Sequence, residues 1–331
     1  MPPALRIRDR SNGPFISSGL MKRFMHAKVP SASPLQLAQL KIRLSRRRLL
    51  IGGAGLVGLA TSATGAYAAG IEPLDLVVTP YALTPPGWPA GRKLTITVIA
   101  DLHAGGPHIT LPHVAHVVDT ANALRSDLIV LLGDFKAWYR FKFEPIDDPL
   151  WAAELGRLHA PFGVWAILGN HDWWHDIKGV RRALADVRIP ILENEAVLLG
   201  PAGQRFWLAG IGDQLAHWLG PGRFRGVDDL PGTLARIRSD DPVVLLVHEP
   251  DIFPTVPSRV ALTLAGHTHG AQIRVPLIWP SFVPSRYGAR FAYGHIVENE
   301  RHMIVSGGIG TSIIPARLGV PPEIVHVTLG A

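Results

Sequence analysis

The chain is 331 residues long, 47% apolar and 18% charged, and it contains no cysteine. That length and composition suffice for one large or two small domains with a buried core, and they exclude a disordered, collagen-like or coiled-coil protein. The absence of cysteine excludes a disulfide scaffold, a thiolate zinc site, an iron–sulfur cluster and a cysteine nucleophile, so any metal must be held by His, Asp, Glu, Asn or backbone. The formal charge of +7 is unevenly placed: residues 1–50 hold 11 Lys and Arg against Asp9 alone, leaving 22 basic and 25 acidic side chains, a charge of −3, for the rest. The body of the chain therefore lacks the electrostatic footprint of a nucleic-acid binder, and no nucleic-acid partner is expected.

In chain order, Ser45-Arg46-Arg47-Arg48 precedes an uncharged, Gly- and Ala-rich run from Leu49 to Ile71 that ends near Ala66-Tyr67-Ala68. A basic region, a modest apolar stretch and a small-x-small pattern read as an export signal. Arg46-Arg47 resembles a twin-arginine signal, although Leu49 and Ile51 stand where Phe and Lys are common. The run is equally long enough for a retained anchor, since about 20 apolar residues span a bilayer. The expected partners of residues 1–70 are the twin-arginine export machinery or the membrane itself. The expected location is the periplasm or cell envelope, or a membrane-anchored state in which catalysis on the cytoplasmic face stays open. Met1, Met21 and Met25 are all candidate starts. Pro73, Pro80, Pro85, Pro86 and Pro89 make residues 71–92 read as a proline-rich tether. A folded domain over 93–331 follows.

Apolar runs expected as buried strands are Leu94–Ala100, Leu128–Leu132, Val164–Leu168, Phe206–Ile211, Val243–Val247, Ala261–Ala265, Met303–Ser306 and Ile324–Leu329. Helical periodicity marks Leu111–Leu124, Leu150–His159, Ile177–Asp186 and Leu230–Ser239. The alternation predicts an α/β protein. The closer spacing of the last strands predicts a second, more antiparallel half.

The informative feature is where His and Asp fall. Asp101 and His103 follow the first strand, Gly133-Asp134 the second, Gly169-Asn170-His171-Asp172 the third, His248 the fifth, and Gly266-His267-Thr268-His269 the sixth. Ligands of open α/β sheets bind beyond the carboxyl ends of strands, so these groups can converge on one crevice. Imidazoles, two carboxylates and an amide oxygen suit borderline divalent ions, Mn, Fe, Zn or Co, better than Ca. The set exceeds one tetrahedral ion and matches two, with one carboxylate between them. Two such ions would keep a residual positive charge for phosphate oxygens and would acidify a bridging water into a nucleophile near neutral pH.

Asp101-x-His103, Gly133-Asp134, Gly169-Asn170-His171-Asp172, His248 and Gly266-His267-x-His269 together resemble the calcineurin-like metallophosphoesterases, from about Lys93 to Leu329. The resemblance implies a four-layer α/β/β/α sandwich. It implies one metal on Asp101, His103 and His269, another on Asn170, His248 and His267, and Asp134 between them. It further implies that His171 contacts the phosphate and protonates the leaving oxygen, with Asp172 orienting it. Gly307-Gly308-Ile309-Gly310-Thr311-Ser312, Pro315, Arg317 and Pro321-Pro322-Glu323-Ile324 resemble a bacterial branch with an N-terminal signal or membrane segment. That branch includes phosphodiesterases and UDP-2,3-diacylglucosamine pyrophosphatases.

The implied activity is hydrolysis of a phosphodiester, phosphomonoester or pyrophosphate, with a lipid-linked substrate such as UDP-2,3-diacylglucosamine among the expectations. Export and lipid A synthesis pull in opposite directions, because that intermediate is made in the cytoplasm. Candidate substrate contacts are His175 beside His171, Trp173 and Trp174 as an apolar wall, Lys136 in the aromatic-basic stretch Phe135–Phe143, and Arg317 as a bidentate phosphate clamp. Against these stand plain packing for the rings and an ordinary ion pair for Arg317. The rival class is a non-catalytic binding module on the same fold, which the full ligand set and His171 disfavour. A metallo-β-lactamase-like hydrolase needs a His-x-His-x-Asp-His run, which is not present.

Overall fold

Two sheets organise the chain. The structure, a computed structural model, describes residues 61–137, 143, 146–275 and 283–331. The first sheet holds β1 (Val77–Leu83), β2 (Leu94–Ile99), β3 (Leu128–Leu131), β4 (Val164–Ala166) and β13 (Glu323–Leu329), in the order β1-β13-β2-β3-β4. The second holds β5 (Glu195–Leu199), β6 (Phe206–Gly210), β9 (Val243–Leu246), β10 (Val260–Ala265), β11 (Gly294–Glu298) and β12 (Arg301–Val305), in the order β11-β12-β10-β9-β6-β5. A small hairpin pairs β7 (His217–Trp218) with β8 (Phe224–Arg225). The helices are α1 (Leu111–Ala123), α2 (Asp148–Leu155), α3 (Asn170–Asp186) and the short α4 (Leu230–Leu234).

Residue alternation explains the layering. Ile96, Val98, Leu128 and Val130 point to one face of the first sheet, where they meet Leu208, Val244, Leu246, Leu262 and Leu264 of the second. Ile99, Ile129 and Leu131 point to the other face, against Val114, Val117 and Val118 of α1, Trp151 of α2 and Val180 and Leu184 of α3. Val243 and Leu245 take the outer face of the second sheet, under Leu230, Phe253 and Phe291. Strands buried on both faces read as continuous apolar runs rather than alternating ones, which is why they are legible in the sequence. The result is the α/β/β/α sandwich. Its outermost layer is thin, built from α4 and 3₁₀ turns at Pro250–Thr255 and Gly288–Phe291.

Three expectations are corrected here. Residues 71–92 are not a tether throughout, because β1 pairs in parallel with β13 from Val77–Glu323 to Leu83–Leu329. Proline density misleads because Pro80 sits on an edge strand, where the missing N–H costs no ladder bond, and Pro73 opens a 3₁₀ turn at Glu72–Leu74. Second, the later sheet is parallel through β12-β10-β9-β6, and only its edge strands β11 and β5 are antiparallel. The antiparallel β11–β12 pair is joined by a two-residue turn, Asn299-Glu300, with both residues at positive φ. Third, α3 begins at Asn170 rather than Ile177, with a kink at Asp176. Its first turn is polar because it carries site residues, so no apolar period announces it.

The proposed signal or anchor lies outside the described residues up to position 60; residues 61–70 are helical. Among the described residues no helix is long and apolar enough to cross a membrane.

Candidate metal centre and active site

The loops leaving β2, β3, β4, β9 and β10 bring Asp101, His103, Asp134, Asn170, His248, His267 and His269 together, each at most 9% exposed. The backbone is strained to do it. Asp101, His103, Asp134, His267 and His269 all sit at positive φ, between 45° and 70°. Such conformations persist only where surrounding structure over-determines them, and they cluster at functional sites. Close approach adds a second constraint: a Cβ on Gly169 would lie 2.3 Å from Asp134 Oδ1 and 2.6 Å from the His248 ring. The Gly of the Gly-Asn-His-Asp run is thus required by space.

The imidazoles are oriented from behind. His103 Nδ1 donates to the Lys136 carbonyl at 2.9 Å and His248 Nδ1 to the Leu132 carbonyl at 2.6 Å. With those protons on Nδ1, it is the Nε2 atoms that face inward. His103 Nε2 lies 3.6 Å and His248 Nε2 3.3 Å from Asp134 Oδ2. His103 Nε2 is also 3.1 Å from His269 Nε2, which is 3.8 Å from Asp101 Oδ1. Among the described residues no well-aligned hydrogen bond satisfies the buried His248 Nε2. On the other side, His267 Nδ1 lies 2.9 Å from Asn170 Oδ1. Two inward imidazole nitrogens and two carboxylates in a buried pocket fit a divalent cation, and Asp101, His103 and His269 each offer a ligand atom within 4.8 Å of the others. No thiolate is available to displace harder donors, so the chemistry of the set matches a borderline metal.

The electrostatics follow the same geometry. Burial alone would raise the Asp134 carboxyl, but His248, His171 and His103 hold it well below the usual carboxylate range. Burial opposes charge on His248, yet Asp134 against its ring raises it well above an ordinary imidazole. Burial, with His103 and Arg317 nearby, pushes His269 well down. Asp134 is therefore the anionic focus on which the histidines converge.

His171 lies at the rim of this cluster. Its ring stands edge-on to His103 at 5.0 Å, stacks with His175 at 5.7 Å and meets Trp174 at 5.2 Å. Its backbone N–H donates to Asp134 Oδ1 at 2.9 Å.

Other expected contacts are placed differently. The hydrogen bonds of Asp172 run to the backbone. Its Oδ2 accepts from the N–H groups of Asp134 and Gly169, and its Oδ1 from Phe135 N–H, at 2.8–2.9 Å. Asp172 thus ties the first turn of α3 to the Gly133-Asp134 loop. Arg317 is not a phosphate clamp. It is 0% exposed, and it donates to the carbonyls of Gly307, Gly308, Gly310 and Val320. The Lys136 ammonium is held by Asp148 at 2.9 Å and Asp176 at 3.8 Å, so this residue serves the site through its carbonyl. Trp173 packs on the helical side of the first sheet, with His217 and Arg181 against its ring. Trp174 does face the rim, 38% exposed and stacked on Phe224 at 5.6 Å. Trp138, Tyr139, Arg140, Phe141 and Lys142 of the aromatic-basic stretch lie outside the described residues.

The sequence misses Ser312 and Glu323. Ser312 Oγ lies 3.2 Å from His171 Nε2. Buried Glu323 accepts from Gly307 N–H and Tyr293 Oη–H at 2.8 Å each and from the Thr79 hydroxyl. Both fall in tail motifs visible in the sequence, but only the folded chain shows what they touch.

This constellation is matched by a family model described as calcineurin-like phosphoesterase over residues 94–271. The chain belongs to the calcineurin-like phosphoesterases. It is 31% identical over 301 residues to the "Uncharacterized metallophosphoesterase YkuE" of Bacillus subtilis, covering 87% of this chain and 98% of that one. It is 28% identical over 293 residues to the "Phosphodiesterase YaeI" of Escherichia coli, covering 86% and 99%. It is also 28% identical over 268 residues to an "Uncharacterized metallophosphoesterase" of Aquifex aeolicus, covering 80% and 95%. A metallophosphoesterase is a hydrolase, and the His and Asp groups above are its candidate metal donors.

Proposed function

We propose that this calcineurin-like phosphoesterase uses two divalent ions to hydrolyse a phosphodiester in an amphiphilic, lipid-linked substrate. The observation that carries the two-ion reading is that two imidazole nitrogens from different loops both approach Asp134 Oδ2, at 3.6 Å from His103 and 3.3 Å from His248, with more than one cluster of donors around it. Asp101, His103 and His269 would hold one ion, and Asn170, His248 and His267 the other, with Asp134 shared. Bound there, the ions would supply positive charge for phosphoryl oxygens and an acidified water as nucleophile. Asp134 would supply the negative charge they share, and the imidazoles around it are buried.

His171 delivers a proton to the leaving oxygen. His171→Ala is expected to keep its metal, by elemental analysis, while turnover falls by roughly 10²–10⁴-fold on esters with poor leaving groups, the usual worth of a general acid. Activated aryl esters should suffer least. Loss of metal from this variant would make His171 a ligand instead.

The amphiphilic reading rests on the rim. Trp174, Trp218 and Leu219 on one flank and Ile313 and Ile314 on the other are 38–64% exposed. Trp218 pairs across β7–β8 with Phe224, on which Trp174 stacks, and Ile313 follows Ser312. Large apolar side chains left in solvent around a polar centre suit a ligand with an acyl tail. The uncharged run after Arg46-Arg47 supports delivery by the twin-arginine machinery or retention at a membrane, with the site in the cell envelope.

The test compares a soluble bis-aryl phosphate with a diacylated phosphodiester in mixed micelles, using full-length protein loaded with Mn, Fe, Zn or Co. Both should be hydrolysed. Replacing Trp174 and Trp218 together with Ala should weaken the acylated substrate about tenfold more than the soluble one, on the area the rings would bury. Equal losses would remove the lipid-linked part. No diester hydrolysis with any of the metals would overturn the function.

A further inference from the structure

The Asp172 oxygens accept from three backbone N–H groups, and the His171 ring meets a different side chain. Ser312 Oγ stands 3.2 Å from His171 Nε2, 141 positions away in sequence. The segment bearing it is bolted down: Gln272 Oε1 accepts from Ser312 N–H at 2.8 Å, while Gln272 Nε2 donates to the carbonyls of Ile314 and Ala316 at 2.9 Å each. Gln272 caps the 3₁₀ turn His269–Ala271, and its own N–H donates to the His269 carbonyl at 2.9 Å. The backbone is strained on both sides of this contact. Gln272 sits at φ 55° and Ile313 at φ 68°, and a β-branched residue in that region is a genuine outlier that only surrounding constraint sustains.

We propose that Ser312 is a positioning residue for the His171 imidazole, held in register by Gln272, so that the turn carrying His269 and the group that protonates the leaving oxygen are set by one connected loop. Two ring contacts fix the plane of His171, His103 edge-on and His175 stacked. The Ser312 hydroxyl fixes its rotation by engaging Nε2, and so selects which edge of the ring faces the reacting phosphate. Strain in the loop is what aims the hydroxyl: a relaxed Ile313 would carry Ser312 off the ring. The inference rests on the reading of His171 as proton donor for its kinetic consequence, and on geometry alone for the contact.

The two parts are tested separately on full-length, metal-loaded protein. Ring nitrogens are observed by NMR with ¹⁵N-labelled histidine, His171→Asn identifying the His171 signals. Ser312→Ala is expected to move the Nε2 resonance of His171 and to leave the His103 and His269 signals in place, and Ser312→Thr to restore it. In kinetics, Ser312→Ala should lower kcat about fivefold to tenfold for esters with poor leaving groups, the usual worth of one hydrogen bond. KM and metal content should be unchanged, and Thr should rescue. An unmoved His171 resonance in Ser312→Ala overturns the proposal. A moved resonance with equal losses on good and poor leaving groups keeps the contact but removes its role in proton delivery. Absence of hydrolysis in the unsubstituted protein counts against the function and leaves the NMR result to decide the contact.

Discussion

Asp134→Asn is expected to strip the protein of bound metal and to cost at least about 100-fold in turnover, more than the loss of a partner behind a metal ligand. The substitution is nearly isosteric and keeps an oxygen for the His171 N–H, so the loop it anchors should survive. What it removes is charge. The carboxylate is the group toward which His103 and His248 turn, and it holds His248 well above an ordinary imidazole despite burial. With a neutral amide there, two cations would lack the negative charge they would share. Elemental analysis and hydrolysis of a bis-aryl phosphate check the two halves. Full metal content with near-normal turnover would displace Asp134 from the centre of the site.

Arg317→Leu is expected to destabilise the fold by about 3–5 kcal/mol, the cost of removing one member of a buried charged network. Two effects oppose each other. Burial makes the guanidinium costly, and it is pushed down to about 10 for that reason, although Asp101, Glu323 and Glu72 support its charge. Its removal, however, strands the carbonyls of Gly307, Gly310 and Val320, while that of Gly308 keeps the Glu323 N–H. Each buried unsatisfied group costs roughly 1–3 kcal/mol, so the losses outweigh the relief. Lys restores charge without the fork and should rescue little. A urea titration reads the effect. Substrate affinity of the folded protein should hold, whereas a stable variant with weakened phosphate binding would return Arg317 to the clamp role.

The comparison of sequence with structure turns on which forces leave a local trace. Doubly buried strands such as Leu128–Leu131 and Val243–Leu246 are uninterrupted apolar runs, and so is most of the sandwich. The candidate metal donors are legible because each follows such a run. Edge strands were not: β1 contains a proline, and β11 alternates buried and exposed residues over five positions. Among side chains, short polar motifs name donors but not their partners. Asp172 is adjacent to His171 in sequence yet serves the backbone, whereas Ser312, far along the chain, meets the ring. Arg317 looked like a clamp because a lone arginine beside glycines gives no sign of being enclosed. Lys136 and Trp173 were drawn to the site by proximity in sequence, and Asp148, Arg181 and His217 claim them in space.

β13, most of whose residues are buried, has neighbours on both sides because β1 covers it. Stripped of that cover, seven consecutive positions would present open amides and carbonyls to any passing chain, the arrangement from which fibrils and swapped dimers grow. The stretch between the uncharged run and β2 is thus a guard strip. It leaves a proline-bearing strand as the outermost one, a poorer template for a stranger than the apolar strand beneath.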